Sequence, residues 1–165
     1  MTMAIPFNRP SMSNQGKAYL AEAIASGHFS GDGGFTRRCH ALLQEWLGVP
    51  RVLLTTSCTG ALEMCALILE VGPGDEGKPP SIISVSTANA IARRGAQVVF
   101  ADVRPDTLNL DERRLPDLIT ERTRAIVPVH YAEVACEMDV IMKVADQHGV
   151  TVVEDNAHGL GGTYR

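Results

Sequence analysis

Val152-Val153-Glu154-Asp155-Asn156-Ala157-His158 is the stretch from which the rest of the chain is read. A β-branched run ends in a carboxylate, and a histidine follows three residues later. Such a run bounded by polar residues reads as a buried strand. In an open, parallel α/β sheet, ligands bind just beyond the carboxyl ends of the strands, where Asp155 and His158 fall. An ionised carboxylate buried alone there is costly, so Asp155 needs a cationic partner. A protonated pyridine nitrogen is one such partner.

Upstream, the pattern alternates between short apolar runs and helical spacing. Residues 1–12, with Pro6 and Pro10, read as an irregular lead-in, and Asn14 to Ser26 as a helix stopped at Gly27. After the turn Ser30-Gly31-Asp32-Gly33-Gly34, Thr36 is placed to cap a helix running to Leu47. Strands are expected at Val52–Thr56, Ile82–Val85, Gln97–Phe100, Ala125–Val129 and Val150–Glu154. Helices are expected at Thr59–Glu70, Thr87–Arg94, from Asp111 or Glu112 to Thr120, and at Met138–His148. Strands alternating with helices of this length predict a parallel sheet with right-handed crossovers.

Bulk properties narrow the classes. The 165 residues suit one domain with a core. A net charge of −4 without a basic stripe argues against a nucleic-acid partner. No apolar run approaches the roughly 20 residues of a membrane helix, and the first residues lack the pattern of a signal peptide. The cysteines, Cys39, Cys58, Cys65 and Cys136, form no C-x-x-C pair, so no metal site is expected. They read as reduced, packed thiols of a cytoplasmic protein. Cys58 at a helix start has the position of a low-pKa nucleophile, but no histidine lies near it in sequence.

Four segments carry candidate chemistry. In Thr56-Ser57-Cys58-Thr59-Gly60-Ala61 a strand gives way to a helix, whose first amides make an anion site suited to phosphate. Ser57 and Thr59 add hydroxyls there, and Gly60 allows close backbone approach; a plain N-cap and tight turn account for the same residues. Asp155 and His158 suit a pyridinium nitrogen and a phenolic ring oxygen, against the plainer reading of a capping Asp and a surface His. A phosphate site and a pyridinium partner at strand ends of one sheet together describe pyridoxal 5'-phosphate. His130 and Tyr131 follow a strand at the same edge, where substrate contact and edge packing are both open. Gly31 and Asp32 lie in a loop that is either a flexible turn or a cover for a pocket.

The residues resemble the amino-terminal part of the DegT/DnrJ/EryC1/StrS sugar aminotransferases, nearest to the dTDP-4-amino-4,6-dideoxygalactose transaminase subgroup. The matching stretches are Ser30-Gly-Asp-Gly-Gly-Phe-Thr36, Leu54-Thr-Thr-Ser-Cys-Thr-Gly-Ala-Leu-Glu-Met64, Gly72-Pro-Gly-Asp-Glu76, Ser86-Thr-Ala-Asn-Ala90, Arg104-Pro-Asp-Thr-Leu-Asn109, Arg122-Thr-Arg-Ala-Ile-Val-Pro-Val-His-Tyr-Ala132, Ala135-Cys-Glu-Met138 and Val153-Glu-Asp155. The resemblance implies the three-layer, mostly parallel large domain of fold-type I pyridoxal phosphate transferases, here truncated. Residues 1–35 would form a helical segment and loop, and 36–165 part of the cofactor-binding domain. It implies transfer of an amino group from glutamate to a nucleotide-linked 4-keto-6-deoxysugar in polysaccharide biosynthesis, by a homodimer. Ser57, Thr59 and Gly60 would hold the cofactor phosphate, Asp155 its ring nitrogen and His158 its ring oxygen. Gly31, Asp32, His130 and Tyr131 would face substrate.

Several positions depart from the family pattern. Ser84 stands where an aromatic ring covers the cofactor. Gly77-Lys78-Pro79-Pro80 replaces an apolar strand, and two prolines and a glycine sit badly in a central parallel strand. Glu133 replaces a glycine, which is awkward if that position needs positive φ. The Schiff-base lysine of the family falls beyond Arg165, so no catalytic residue is assigned in this chain. Its own lysines are Lys17 and Lys143, on expected helices, and Lys78, expected nearer the sheet edge. The sequence thus reads as a truncated or degenerate relative, or as a fragment of a longer gene. The alternative function is a catalytically inert fragment that binds pyridoxal phosphate or dimerises, with its cut sheet covered by a second copy. A flavodoxin-like or Rossmann-type domain lacks support, because no G-x-G-x-x-G follows a strand.

Overall fold

The computed structural model describes residue 6 and residues 9–164. Most of the lead-in expected over 1–12 lies outside the described residues. The chain divides between Leu54 and Thr55 into two compact units.

The first unit is a pair of helices. α1, Asn14–Ala25, is capped by Ser13, whose Oγ accepts from Gly16 N at 3.0 Å. α2, Gly34–Leu47, starts at Gly34 rather than after Thr36 and ends at Gly48, which takes the left-handed conformation at φ 65°. Tyr19 and Phe35 meet with ring centroids 5.5 Å apart, and the Arg38 guanidinium lies 4.9 Å from both rings. Val52–Thr56, expected as a buried strand, is not one. No strand pairs with it, Leu53 is 69% exposed, and the Leu54 N–H donates to His40 Nε2 at 3.0 Å instead of to a ladder.

The second unit is a parallel sheet between two helical layers. In chain order it runs α3 (Cys58–Ile68), β1 (Glu76–Lys78), α4 (Val85–Ala92), β2 (Gln97–Val98), α5 (Leu115–Leu118), β3 (Thr123–Ile126), α6 (Met138–His148) and β4 (Thr151–Val152). The spatial order is β2-β1-β3-β4, all parallel. On one face Val71, Ile91, Ala96, Ala125 and Val127 pack together. On the other, Ile126 meets Leu110, Leu115, Cys136 and Ile141. Strand alternation explains why Ala125 and Ile126 serve opposite cores. The expected strand over 82–85 is instead a bend leading into α4, which Ser84 caps. The helix expected from Asp111 to Thr120 is shorter. It is a 3-10 turn over Glu112–Arg114 and then α5, with Pro116 in its first turn.

Gly77 and Lys78, from the segment judged unfit for a central strand, belong to one of the two inner strands. β1 lies between β2 and β3, and the prolines fall just past it. Missing donors do not stop their carbonyls from pairing: Pro79 O accepts from Ala101 N at 2.8 Å. Gly77 is needed for packing, since a Cβ there would lie 2.4 Å from Ile91 Cδ1. Lys78 is accordingly not near an edge. It is 1% exposed, and its Nζ donates to Glu76 Oε2 at 2.6 Å. Glu76 also takes Thr120 Oγ1 at 2.8 Å and Arg122 at 2.5 Å. Hydrogen bonding from Lys78, then from Thr120, holds its carboxyl below the usual range.

Candidate functional site

The carboxyl ends of the strands bring Asp155 and the starts of α3 and α4 together. Asp155 follows β4 and pairs with Val129, its N–H donating to Pro128 O at 2.9 Å. Its side chain is 5% exposed. Oδ2 accepts from Thr87 Oγ1 at 2.7 Å, and Oδ1 from Ala157 N at 3.3 Å and Cys58 Sγ at 3.7 Å. Among the described residues no cation is ion-paired with this carboxylate. A buried acid held by neutral donors, with no protein cation beside it, fits a cationic ligand such as a pyridinium nitrogen. The Cys58 thiol is pushed up by burial and then by the Asp155 charge, the opposite of an activated nucleophile.

The start of α3 faces the same edge. Ser57 caps it, its Oγ accepting from Gly60 N at 3.1 Å. That bond uses one of the amides expected for phosphate. The N–H groups of Cys58 and Thr59 still have no carbonyl partner within the helix. Thr59 Oγ1 donates to Ser86 Oγ at 2.9 Å, tying the start of α3 to that of α4. A Cβ on Gly60 would meet only ordinary contacts, the nearest being Ser57 Oγ at 3.5 Å. The protein's own packing therefore does not require this glycine, and close approach of a ligand gives it a reason. Ser84 is exposed at the α4 cap and places no ring over this edge.

His158 is exposed, with its Nδ1 accepting from Ala132 N at 3.4 Å and its ring edge-on to Tyr131 at 6.0 Å. The turn beneath it is left-handed at two successive residues, Ala132 at φ 50° and Glu133 at φ 69°. Glu133, where the resemblance leads one to expect a glycine, is thus itself at positive φ. His130 is buried and points elsewhere. Its Nδ1 accepts from Cys136 N at 3.1 Å, and its Nε2 lies 2.9 Å from Glu154 Oε2. Val129 pairs with Asp155, so alternation turns His130 and Glu154 away from the face that carries the Asp155 carboxylate. Gly31 and Asp32 belong to the first unit. Both are exposed there, and Asp32, at φ 55°, ion-pairs with Arg37 at 3.5 Å.

Thr87 is the residue that sequence reasoning left without a role. It stood in the quoted Ser86-Thr-Ala-Asn-Ala90 stretch, and a hydroxyl in the first turn of a helix after a strand was the available signal.

Comparison with known proteins gives four findings of one kind. The DegT/DnrJ/EryC1/StrS aminotransferase family matches residues 10–165. The spore coat polysaccharide biosynthesis protein SpsC of Bacillus subtilis is 35% identical over 161 residues, which are 98% of this chain and 41% of that protein. Among solved structures, the aminotransferase TlmJ from Streptoalloteichus hindustanus superposes with a TM-score of 0.86 at 38% identity, over 92% of this chain and 42% of that one. The putative sugar aminotransferase Spr1654 from Streptococcus pneumoniae, in its PLP form, gives 0.85 at 30% identity, over 95% and 43%. The chain therefore spans about two fifths of the length of the relatives it matches.

Proposed function

The chain belongs to the DegT/DnrJ/EryC1/StrS aminotransferase family, and from that premise we propose that it forms the cofactor-binding part of a pyridoxal 5'-phosphate-dependent sugar aminotransferase. The observation that carries this reading is Asp155, a buried carboxylate with donors on both oxygens and no cation paired to it among the described residues, beside the start of α3.

The geometry of that edge supports the cofactor assignments. The free amides of Cys58 and Thr59, with the hydroxyls of Ser57 and Thr59, hold the phosphate at the positive end of the α3 dipole, and Gly60 leaves room for it. Asp155 keeps a proton on the ring nitrogen, with Thr87 fixing the carboxylate's orientation. His158 meets the ring oxygen. Ser84 edges the ring without stacking on it. Bound there, the cofactor supplies an electron sink for moving an amino group. Tyr131 serves the substrate side; His130 acts on it only through the loop it anchors at Cys136. The donor is glutamate and the acceptor a nucleotide-linked 4-keto-6-deoxysugar, in polysaccharide biosynthesis in the cytoplasm. A homodimer would cover the apolar side chains exposed on the helices, among them Trp46, Ile68 and Val85.

A second reading, an inert module that binds pyridoxal phosphate or dimerises, is favoured by one observation: Lys78 is committed to Glu76 inside the sheet. Titration of the purified chain with pyridoxal phosphate tests both. Saturable binding that weakens at least tenfold in Asp155→Asn is expected, and equal binding by the variant would reject the assignment. Borohydride fixation of the cofactor, with transamination from glutamate, would exclude the inert module; binding fully reversible on dialysis would favour it.

A further inference from the structure

The turn Tyr131–Val134 stores backbone strain next to the site, and one buried side chain holds it there. Two successive non-glycine residues in the left-handed region cost on the order of 1–3 kcal/mol each, and Ala132 and Glu133 are such a pair. Asn109, 2% exposed, spans the turn from both ends. Its Oδ1 accepts from Tyr131 N at 2.9 Å, and its Nδ2 donates to Val134 O at 2.9 Å. Between those two anchors, the Ala132 N–H points at His158 Nδ1.

A backbone N–H can only donate, so His158 Nδ1 must be an acceptor. In a neutral imidazole the proton then sits on Nε2, which becomes a donor. We propose that Asn109 is a positioning residue: by clamping the left-handed turn at Ala132 and Glu133, it holds one amide on His158 Nδ1 and so fixes that ring as the Nε2–H tautomer. The inference rests on the reading that His158 meets the ring oxygen of the cofactor. That oxygen is an acceptor, so only the Nε2–H tautomer gives it a hydrogen bond through Nε2. The role resembles the outer-shell bonds that orient histidines at other sites. It gives the strain a purpose: the turn exists in this form to aim one N–H.

The test reads the tautomer directly, in the full chain without cofactor. Nitrogen-15 ring shifts of His158 are recorded at about pH 8, where an ordinary imidazole is neutral. His158→Gln identifies the signals. The wild-type protein is expected to show a protonated Nε2 and an unprotonated Nδ1. Asn109→Ala is expected to shift both signals toward a mixture of tautomers. Should that variant lose its dispersed spectrum, Asn109→Asp keeps the acceptor for Tyr131 and sets a carboxylate oxygen against Val134 O in place of the donor, so that end of the clamp opens and a shift is expected. A wild-type ring protonated at Nδ1, or already averaged, overturns the proposal. So does either folded variant with unmoved signals. The measurement needs no cofactor, so a correct tautomer in a chain that fails to bind pyridoxal phosphate would sink the proposed function and the tautomer's use in it, while the clamp of Asn109 on the His158 tautomer would stand.

Discussion

Asp155 shows how a single residue type commits its surroundings. A carboxylate 5% exposed at the end of a strand needs donors. They arrive from Thr87, Cys58 and Ala157, of which only Ala157 is close in sequence. The acid and its need were legible in the Val152–His158 stretch. The donors Thr87 and Cys58 lie 68 and 97 residues away, and although Thr87 opens an expected helix, no local pattern pairs either of them with Asp155. Glu133 is the converse case. The sequence reading asked whether the replaced glycine needed positive φ, and the answer, φ 69°, is a backbone angle that only the folded turn sets. Glu133→Gly is therefore expected to stabilise the protein by about 1 kcal/mol, because relief of left-handed strain outweighs the added freedom of the unfolded chain. Urea unfolding checks this; a lowered midpoint with an unchanged slope would refute it.

At the scale of elements, α6 and β1 make opposite points. α6 was readable to the residue from Met138 to His148, with Gly149 left-handed at φ 64°, because its apolar period and its stop are both local. β1 was misread because strand propensity is a statement about context. Its neighbours β2 and β3 supply pairing, Pro79 just past it still accepts through its carbonyl, and Gly77 makes room for Ile91. The Glu76–Lys78 pair replaces apolar packing with charge. Breaking a buried pair from one side typically costs about 3–5 kcal/mol, whereas an apolar replacement of both partners is often neutral or better. Lys78→Met alone should thus destabilise strongly. Glu76→Leu with Lys78→Met should recover most of the loss, since Arg122, 62% exposed, can return to water. Thermal unfolding of the two variants decides it; a double variant no better than the single one would mean that the pair contributes more than its apolar substitute.

Taken as a whole molecule, the second unit leans on carboxylates with cationic partners. Lys78 with Thr120 holds Glu76 below its ordinary value, Arg124 with Gly72 N does so for Asp75, and Arg113 for Asp111. Arg104 takes Asp106 down to about 2. Each folded value lies below the unfolded one, so the folded state binds fewer protons in acid. The stability these groups contribute is complete above the ordinary carboxylate values of 3.8 for Asp and 4.5 for Glu and is lost as pH falls through that range toward about 2. Circular dichroism across this window should show cooperative acid unfolding, shifted to higher pH in Arg104→Gln; a flat signal down to about pH 2 would contradict it.

The sequence by itself determined the alternation of strands and helices, the family, and the placing of Asp155 and of the turn before α3 at the carboxyl ends of the strands, because each is written in local periodicity and in short motifs. The tertiary structure alone decided that β1 became an inner strand, that Lys78 is buried with Glu76, that His130 turns to Glu154 while Thr87 reaches Asp155, and that the turn over Ala132 and Glu133 is held against its own strain by Asn109. These outcomes come from contacts between residues far apart in the chain. Burial and pairing there override what each residue prefers on its own.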